Sequence, residues 1–148
     1  MENKQNREFE YLDHPADLEI LAFGNTLEEL FKNAARAMFN AISPNYETST
    51  ECREEINIEL SAENPEDLLF KWMSELVFLF DTNFILPKKI DVKIDKTDDK
   101  LILKAKLCGE KFDPNKHDYA IGIKAMTYNM LKIERSKEGF KAHFVMDV

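Results

Sequence analysis

A change of hydrophobic period around Thr26 constrains this chain more than any other feature of its sequence. From Asp17 to Phe23, Leu18, Ile20 and Ala22 fall on one side and Asp17, Glu19 and Leu21 on the other, the period of a strand. Gly24-Asn25 breaks that pattern. Thr26, with Glu29 three residues on, then forms a capping box ahead of Leu27, Leu30, Phe31, Ala34, Met38 and Ala41, an apolar stripe at helical spacing that ends before Pro44. A chain that alternates between the two periods has to lay helices against a sheet.

The same alternation continues downstream. A polar stretch around Tyr46–Thr50 leads to Ile56, Ile58 and Leu60, which alternate with Asn57, Glu59 and Ser61 as a half-buried strand. Asn64-Pro65-Glu66-Asp67 supplies an N-cap, a proline at the first helical position and acids at the positive dipole end. The stripe Leu69, Trp72, Met73, Leu76 and Phe80 follows as a second amphipathic helix. Pro87 is expected to close the next connection, and Ile90, Val92 and Ile94 to face Leu101, Leu103 and Ala105 across the turn Thr97-Asp98-Asp99-Lys100.

Phe9–Leu12 reads as a short strand, Ile123–Ile133 as another, and Phe140 onward as the last, entered by a turn at Ser136–Gly139. In that last strand Phe140, Ala142, Phe144 and Met146 share one face, and Lys141, His143, Val145 and Asp147 the other. The prediction is one compact α+β domain over residues 1–148, with residues 1–7 disordered. It has two main amphipathic helices and about seven strands in a largely antiparallel or mixed sheet.

At 148 residues the chain is long enough to bury one core without staples. Its 28 acidic and 20 basic residues give a formal charge of −8, which repels a phosphate backbone and disfavours stable direct nucleic-acid binding. Four glycines are too few for a dinucleotide or Walker-type loop, and Gly122-Ile123-Lys124 lacks the spacing. Cys52 and Cys108 lie far apart without Cys-x-x-Cys or Cys/His ligand spacing, so the sequence indicates neither a zinc site nor a redox pair, and two buried or idle thiols are expected. The polar start and the lack of a long apolar run predict no signal peptide, no membrane span and a cytoplasmic location.

Two places carry chemistry. Asp13-His14-Pro15-Ala16-Asp17 gathers two carboxylates and an imidazole at a turn, where a metal could be held; the plain alternative is that Asp13 and His14 hydrogen-bond the turn and Asp17 is solvated. Asp147 and the carboxyl group of Val148 put two anionic groups side by side. Bringing Asp17 near them is costly unless a cation neutralises the group, and oxygen-only donors suit Ca²⁺, Mg²⁺ or Mn²⁺ better than Zn²⁺; the alternative is a frayed acidic tail. Lys124 sits in a strand-like run, as a solvated charge or a contact for a phosphate or an acidic partner. His117 and His143 have no nucleophile beside them and read as surface histidines, and Trp72 and the phenylalanines as packing.

Taken together, Tyr11-Leu12-Asp13-His14-Pro15-Ala16-Asp17, Thr26-Leu27-Glu28-Glu29-Leu30-Phe31, Gly109-Glu110 with Asp113-Pro114 and His117, Lys124-Ala125-Met126-Thr127-Tyr128, and the closing Asp147-Val148 resemble the archease family over nearly the whole chain. The resemblance implies a compact α+β protein that is not itself an enzyme. It would promote guanylylation and multiple turnover of an RtcB-type RNA ligase, the GTP-dependent enzyme of tRNA splicing and RNA repair. The family's metal positions match Asp17, Asp147 and Val148, with Ca²⁺ the expected ion and Mg²⁺ or Mn²⁺ as alternatives. Asp13, His14 and Lys124 match neighbouring motif positions that would serve partner activation or support the metal.

Two departures stand out. Pro15 occupies a position where the family usually has Thr, which deletes a backbone donor from the loop, and Asn129 follows Tyr128 where some relatives have His. Two other functions fit parts of the pattern. One is a general chaperone or modulator of RNA-modifying enzymes, and the other is a small metal-dependent hydrolase, which would need a base and a substrate pocket of its own.

Overall fold

The computed structural model describes residues 8–12 and 17–148. The N-terminal segment 1–7, expected to be disordered, and the turn carrying Asp13, His14 and Pro15 lie outside the described residues. The element order is β1 (Phe9–Leu12), β2 (Asp17–Gly24), α1 (Leu27–Ile42), α2 (Tyr46–Ser49), β3 (Glu54–Ala62), α3 (Pro65–Asn83), β4 (Ile85–Lys96), β5 (Leu101–Lys111), β6 (Ala125–Met126), β7 (Lys132–Ser136) and β8 (Gly139–Asp147).

Both helices start where the sequence says. Thr26 Oγ1 accepts from the Glu29 N–H at 3.1 Å while Glu29 reaches back to the Asn25 N–H at 3.2 Å. Asn64 Oδ1 accepts from the Asp67 N–H at 2.9 Å, with Pro65 opening the helix. Each such cap is worth about 1 kcal/mol.

Among the described residues the strands form two sheets instead of one, and every pairing is antiparallel. The first runs β1-β2-β8, with β6 and β7 lying end to end along the far edge of β8; the second runs β3-β5-β4. The predicted hairpin at Thr97–Lys100 joins β4 and β5 and is closed by the Thr97 N–H on the Lys100 carbonyl at 2.8 Å. Helix α1 packs on β2, β8 and β4, and α3 on β3, β5 and β6, so the helices hold the two sheets together. Trp72 is fully buried and its Nε1–H donates to the Phe31 carbonyl at 2.9 Å, which ties α3 to α1 through the centre of the core.

Besides the second sheet, the fold departs from the sequence reading in four places. The predicted strand Ile123–Ile133 is two strands, β6 and β7, separated by a turn in which Met130 takes the left-handed conformation (φ 59°). Pro87 does not end a connection. It lies inside β4, where the register slips between Pro87 and Lys89, and such a bulge tolerates a residue that cannot donate to the ladder. The polar stretch after Pro44 holds a short helix, α2.

The fourth departure concerns the cysteines and His117. Cys52, just ahead of β3, is disulfide-bonded to Cys108 in β5, with Cα atoms 5.0 Å apart. Two idle thiols were expected. The pairing of β3 with β5 brings them together across 56 residues of sequence, a distance over which no spacing rule operates. The next residues of the same two segments continue the clamp. Glu110 accepts from the Glu51 N–H at 2.7 Å, Lys116 Nζ at 2.6 Å and Arg53 Nε at 3.3 Å, and the Arg53 N–H reaches the Gly109 carbonyl at 2.9 Å. A side chain at Gly109 would strike the Leu86 and Pro87 backbone, so only glycine lets β4 close on this corner.

His117, expected on the surface, is buried against the same corner. Its Nδ1 accepts from the Asp113 N–H at 2.9 Å, which leaves Nε2 to donate to Thr50 Oγ1 at 3.2 Å. Burial alone would raise the Glu110 carboxyl, but the Lys116 ammonium and the Glu51 N–H outweigh it and hold the group below its ordinary value.

Candidate metal and partner site

Strand β2 enters the first sheet at Asp17 and pairs in register with the whole of β8 as that strand leaves the sheet. Because the two run antiparallel, the first residue of one meets the last of the other: Asp17 lies opposite Asp147, then Leu18 opposite Met146, Glu19 opposite Val145 and Leu21 opposite His143. Leu18, Ile20, Phe144 and Met146 turn toward the helices, so Asp17 and Asp147 project together from the other face. Directly opposed residues in an antiparallel pair have Cβ atoms about 5 Å apart, and like charges placed there repel. This is the one place where the two sequence-level candidates become a single site.

The far side of Asp147 is equally defined. The Lys124 N–H donates to the Asp147 carbonyl at 2.8 Å, Ala125 pairs with Asp147 in β6, and Thr127 Oγ1 donates to the Val145 carbonyl at 2.6 Å. The Lys-Ala-Met-Thr run is therefore the strap that fixes the end of β8. Lys124 is exposed just ahead of β6, and Val148, also exposed, follows Asp147 directly. The backbones of Asp17, Asp147, Lys124 and Val148 thus meet at one end of the sheet, while Asp13 and His14, four and three residues before Asp17, lie outside the described residues.

The same sheet face holds a further pair. His143 Nε2 meets Glu19 Oε2 on the same face as the two aspartates; Glu19 is buried and His143 half-buried, so His143 is no loose surface histidine. Strand alternation alone puts Glu19 with Asp17 and His143 with Asp147, but pairing them requires the β2/β8 register, which a single sequence does not give.

The donor set fits a hard cation. Two aspartates at one sheet end, with the oxygens of the adjoining Val148, offer oxygen ligands only, as Ca²⁺ and Mg²⁺ require, and no sulfur or imidazole that would favour a softer metal. Among the described residues no three His, Cys, Asp or Glu side chains gather closely enough to hold a metal ion, so a cation here would draw on Val148 or on the turn ahead of Asp17 to complete its shell. No helix among the described residues is long and apolar enough to cross a membrane.

Residues 9–148 match the model of the archease protein family (MTH1598/TM1083). The chain belongs to the archease family. It is 41% identical over 145 residues to protein archease of Methanosarcina acetivorans, covering 97% of this chain and 98% of that one. With protein archease of Pyrococcus furiosus it shares 40% identity over 143 residues, 96% of this chain and 99% of the relative.

Among solved structures, the solution structure of protein 1598 of Methanobacterium thermoautotrophicum superposes with a TM-score of 0.84 at 38% identity, over 95% of this chain and 99% of that one. The crystal structure of an archease from Thermotoga maritima, described as a possible chaperone, superposes with a TM-score of 0.60 at 22% identity, over 93% and 94% of the two chains, and shares the fold. The α+β architecture with two principal helices is therefore that of archease.

Proposed function

We propose that this chain is an accessory protein of an RtcB-type RNA ligase in tRNA splicing and RNA repair, promoting the ligase's guanylylation and multiple turnover and catalysing no reaction of its own. Membership of the archease family motivates the partner. The observation that carries the reading is the opposition of Asp17 and Asp147 across β2 and β8, an arrangement of like charges that a bound cation would favour.

Asp17, Asp147 and the oxygens of Val148 would hold the cation, Ca²⁺ by preference and Mg²⁺ or Mn²⁺ otherwise. A bound cation supplies charge neutralisation and free coordination positions at the docking face. The chain's own residues do the rest. The Lys124 N–H and Thr127 Oγ1 fix the backbone of β8 so that the Asp147 carboxylate is presented outward. By the family resemblance Asp13 and His14 would serve partner activation, and Lys124 would add one positive charge for a phosphate or an acidic group of the ligase–nucleotide complex.

The test is guanylylation of the ligase with GTP and Mn²⁺, followed by ligation under multiple turnover, with and without this protein. Both steps should accelerate with the intact chain, and Asp147→Asn should lose most of the effect while melting normally. Equal rates with and without the protein would sink the proposal. A second reading, a general chaperone of RNA-modifying enzymes, is favoured by the description of the Thermotoga relative. It differs in predicting protection of several unrelated enzymes from aggregation, with no dependence on Asp147.

A further inference from the structure

The disulfide at the corner of β3 and β5 joins two unequal cysteines. Cys108 lies in β5, the middle strand of its sheet, between Glu55 of β3 and Lys89 of β4, and is half-buried. Cys52 lies ahead of β3, outside the ladder, and is exposed. Thiol–disulfide exchange begins when a thiolate attacks one sulfur of the bond and the other leaves, so access decides which sulfur is attacked and whether the folded protein reacts at all.

The backbone around the bond decides what happens next. Both neighbours of Cys52 are tied to the two residues that follow Cys108: the Glu51 N–H donates to Glu110 Oε2 at 2.7 Å, and the Arg53 N–H to the Gly109 carbonyl at 2.9 Å. Arg53 Nε adds a third tie, to Glu110 Oε1 at 3.3 Å. These contacts do not use sulfur, so they remain when the bond opens and hold Cys52 beside Cys108. The opened form is a folded protein with two adjacent thiols.

That arrangement selects the reductant. A thiolate that attacks Cys52 forms a mixed disulfide there and expels Cys108, which is held in place to attack back and close the bond again. A second monothiol has to arrive from solution to compete with a thiol already tethered at the site. A dithiol brings its second thiol with it and resolves the mixed disulfide within the same complex.

We propose that Cys52–Cys108 is a redox switch opened on the folded protein by dithiol reductants, with Cys52 Sγ as the point of attack. One thiolate of the reductant bonds to Cys52 Sγ as the Cys52–Cys108 bond breaks, and the electron pair leaves on Cys108 Sγ, which takes up a proton. The second thiolate then displaces Cys52 Sγ, which takes up another proton, and the reductant closes into its own disulfide. Two electrons and two protons pass from the dithiol to the protein, and a disulfide of the same class runs the sequence backwards. The two folded forms differ in one bond and, because that bond closes a loop of 56 residues, in stability. The proposal is independent of ligase activation and of the cation site.

Oxidised protein, kept well below its melting temperature, is treated with dithiothreitol or with mercaptoethanol at equal thiol concentration, quenched by alkylation and weighed by mass spectrometry. Dithiothreitol should open the bond at a rate that sub-denaturing urea leaves unchanged, whereas reduction through unfolding would accelerate with urea. Mercaptoethanol should yield the doubly reduced protein about tenfold more slowly. Near-ultraviolet circular dichroism of the reduced protein should keep the native signal of the buried Trp72.

These readings use the parent chain alone. In single variants, Cys108→Ser, which leaves Cys52, should be alkylated about tenfold faster than Cys52→Ser, which leaves Cys108. Any of four results overturns the proposal: reduction that urea accelerates, a monothiol as effective as the dithiol, loss of the native dichroism on reduction, or Cys108 alkylated as fast as Cys52.

Discussion

Two ends of this molecule are built from the same kinds of side chain and differ in every other respect. At the corner of β3 and β5, Glu110 is buried with its two oxygens taking donors from Glu51, Arg53 and Lys116, His117 spends both ring nitrogens on Thr50 and Asp113, and the Cys52–Cys108 bond runs alongside. At the end of β2 and β8, Asp17 faces Asp147 and the exposed Val148 follows. The first corner is closed: each charge meets an opposite charge or a donor. The second sets two carboxylates opposite each other at a sheet end, an arrangement that a bound cation would favour, and sites that bind are found where local stability has been given up in this way.

If the closed corner is structural, damage to it should cost the whole fold. Reducing Cys52–Cys108 releases a loop of 56 residues, which chain entropy values at about 4 kcal/mol, so the melting temperature should fall by about 10 °C in excess dithiothreitol. Scanning calorimetry of oxidised and reduced protein checks this, with thiol alkylation to count the released cysteines. An unchanged melting temperature would demote the corner to ornament.

Glu110→Ala should cost somewhat less, about 3 kcal/mol, because it strands Lys116 and the Glu51 N–H without an acceptor. The pH dependence has a definite sign. The Glu110 carboxyl is held below its ordinary value of 4.5 when folded, so its contribution is complete above about pH 4.5 and fades as pH falls through the folded value. Urea titrations between pH 3 and 7 should show a drop in stability at the acid end that is smaller in Glu110→Ala. Equal slopes for the two proteins would remove Glu110 from the account.

The open end predicts an opposite and smaller response. Relieving the like-charge contact by Asp17→Asn, in chelator and at low salt, should stabilise the fold by about 0.5 kcal/mol, and added sodium chloride should raise the parent more than the variant. Urea unfolding at two salt concentrations measures both. Destabilisation by Asp17→Asn would mean that the carboxylate serves the turn ahead of it and not a bound cation.

Local chemistry was legible in the sequence and long-range pairing was not. Thr26 with Glu29 and Asn64 with Pro65 announce their helices because a cap is satisfied within four residues. The faces of β2 and β8 could be read from alternation, which is why Asp17 and Asp147 were both assigned to the side away from the core. Their opposition, the Glu19–His143 pair and the disulfide all depend on which strands pair and in what register, and one sequence carries no local signal for that. Pro87 and Met130 misled for a different reason. A proline can sit in a strand at a bulge, and a methionine can take a left-handed turn when neighbouring strands hold both its ends, so tertiary contacts overrode local preference.

The claim on which this account turns is that Asp17 and Asp147 together form a cation site, and the melting temperature with and without Ca²⁺ tests it most directly. In chelator, Asp147→Asn should melt at or slightly above the parent. At a Ca²⁺ concentration one hundred times its dissociation constant, the parent should gain about 2.7 kcal/mol, a rise of about 5–10 °C, and Asp147→Asn should gain little. A parent indifferent to Ca²⁺, Mg²⁺ and Mn²⁺ alike, or a variant that responds as the parent does, would contradict it.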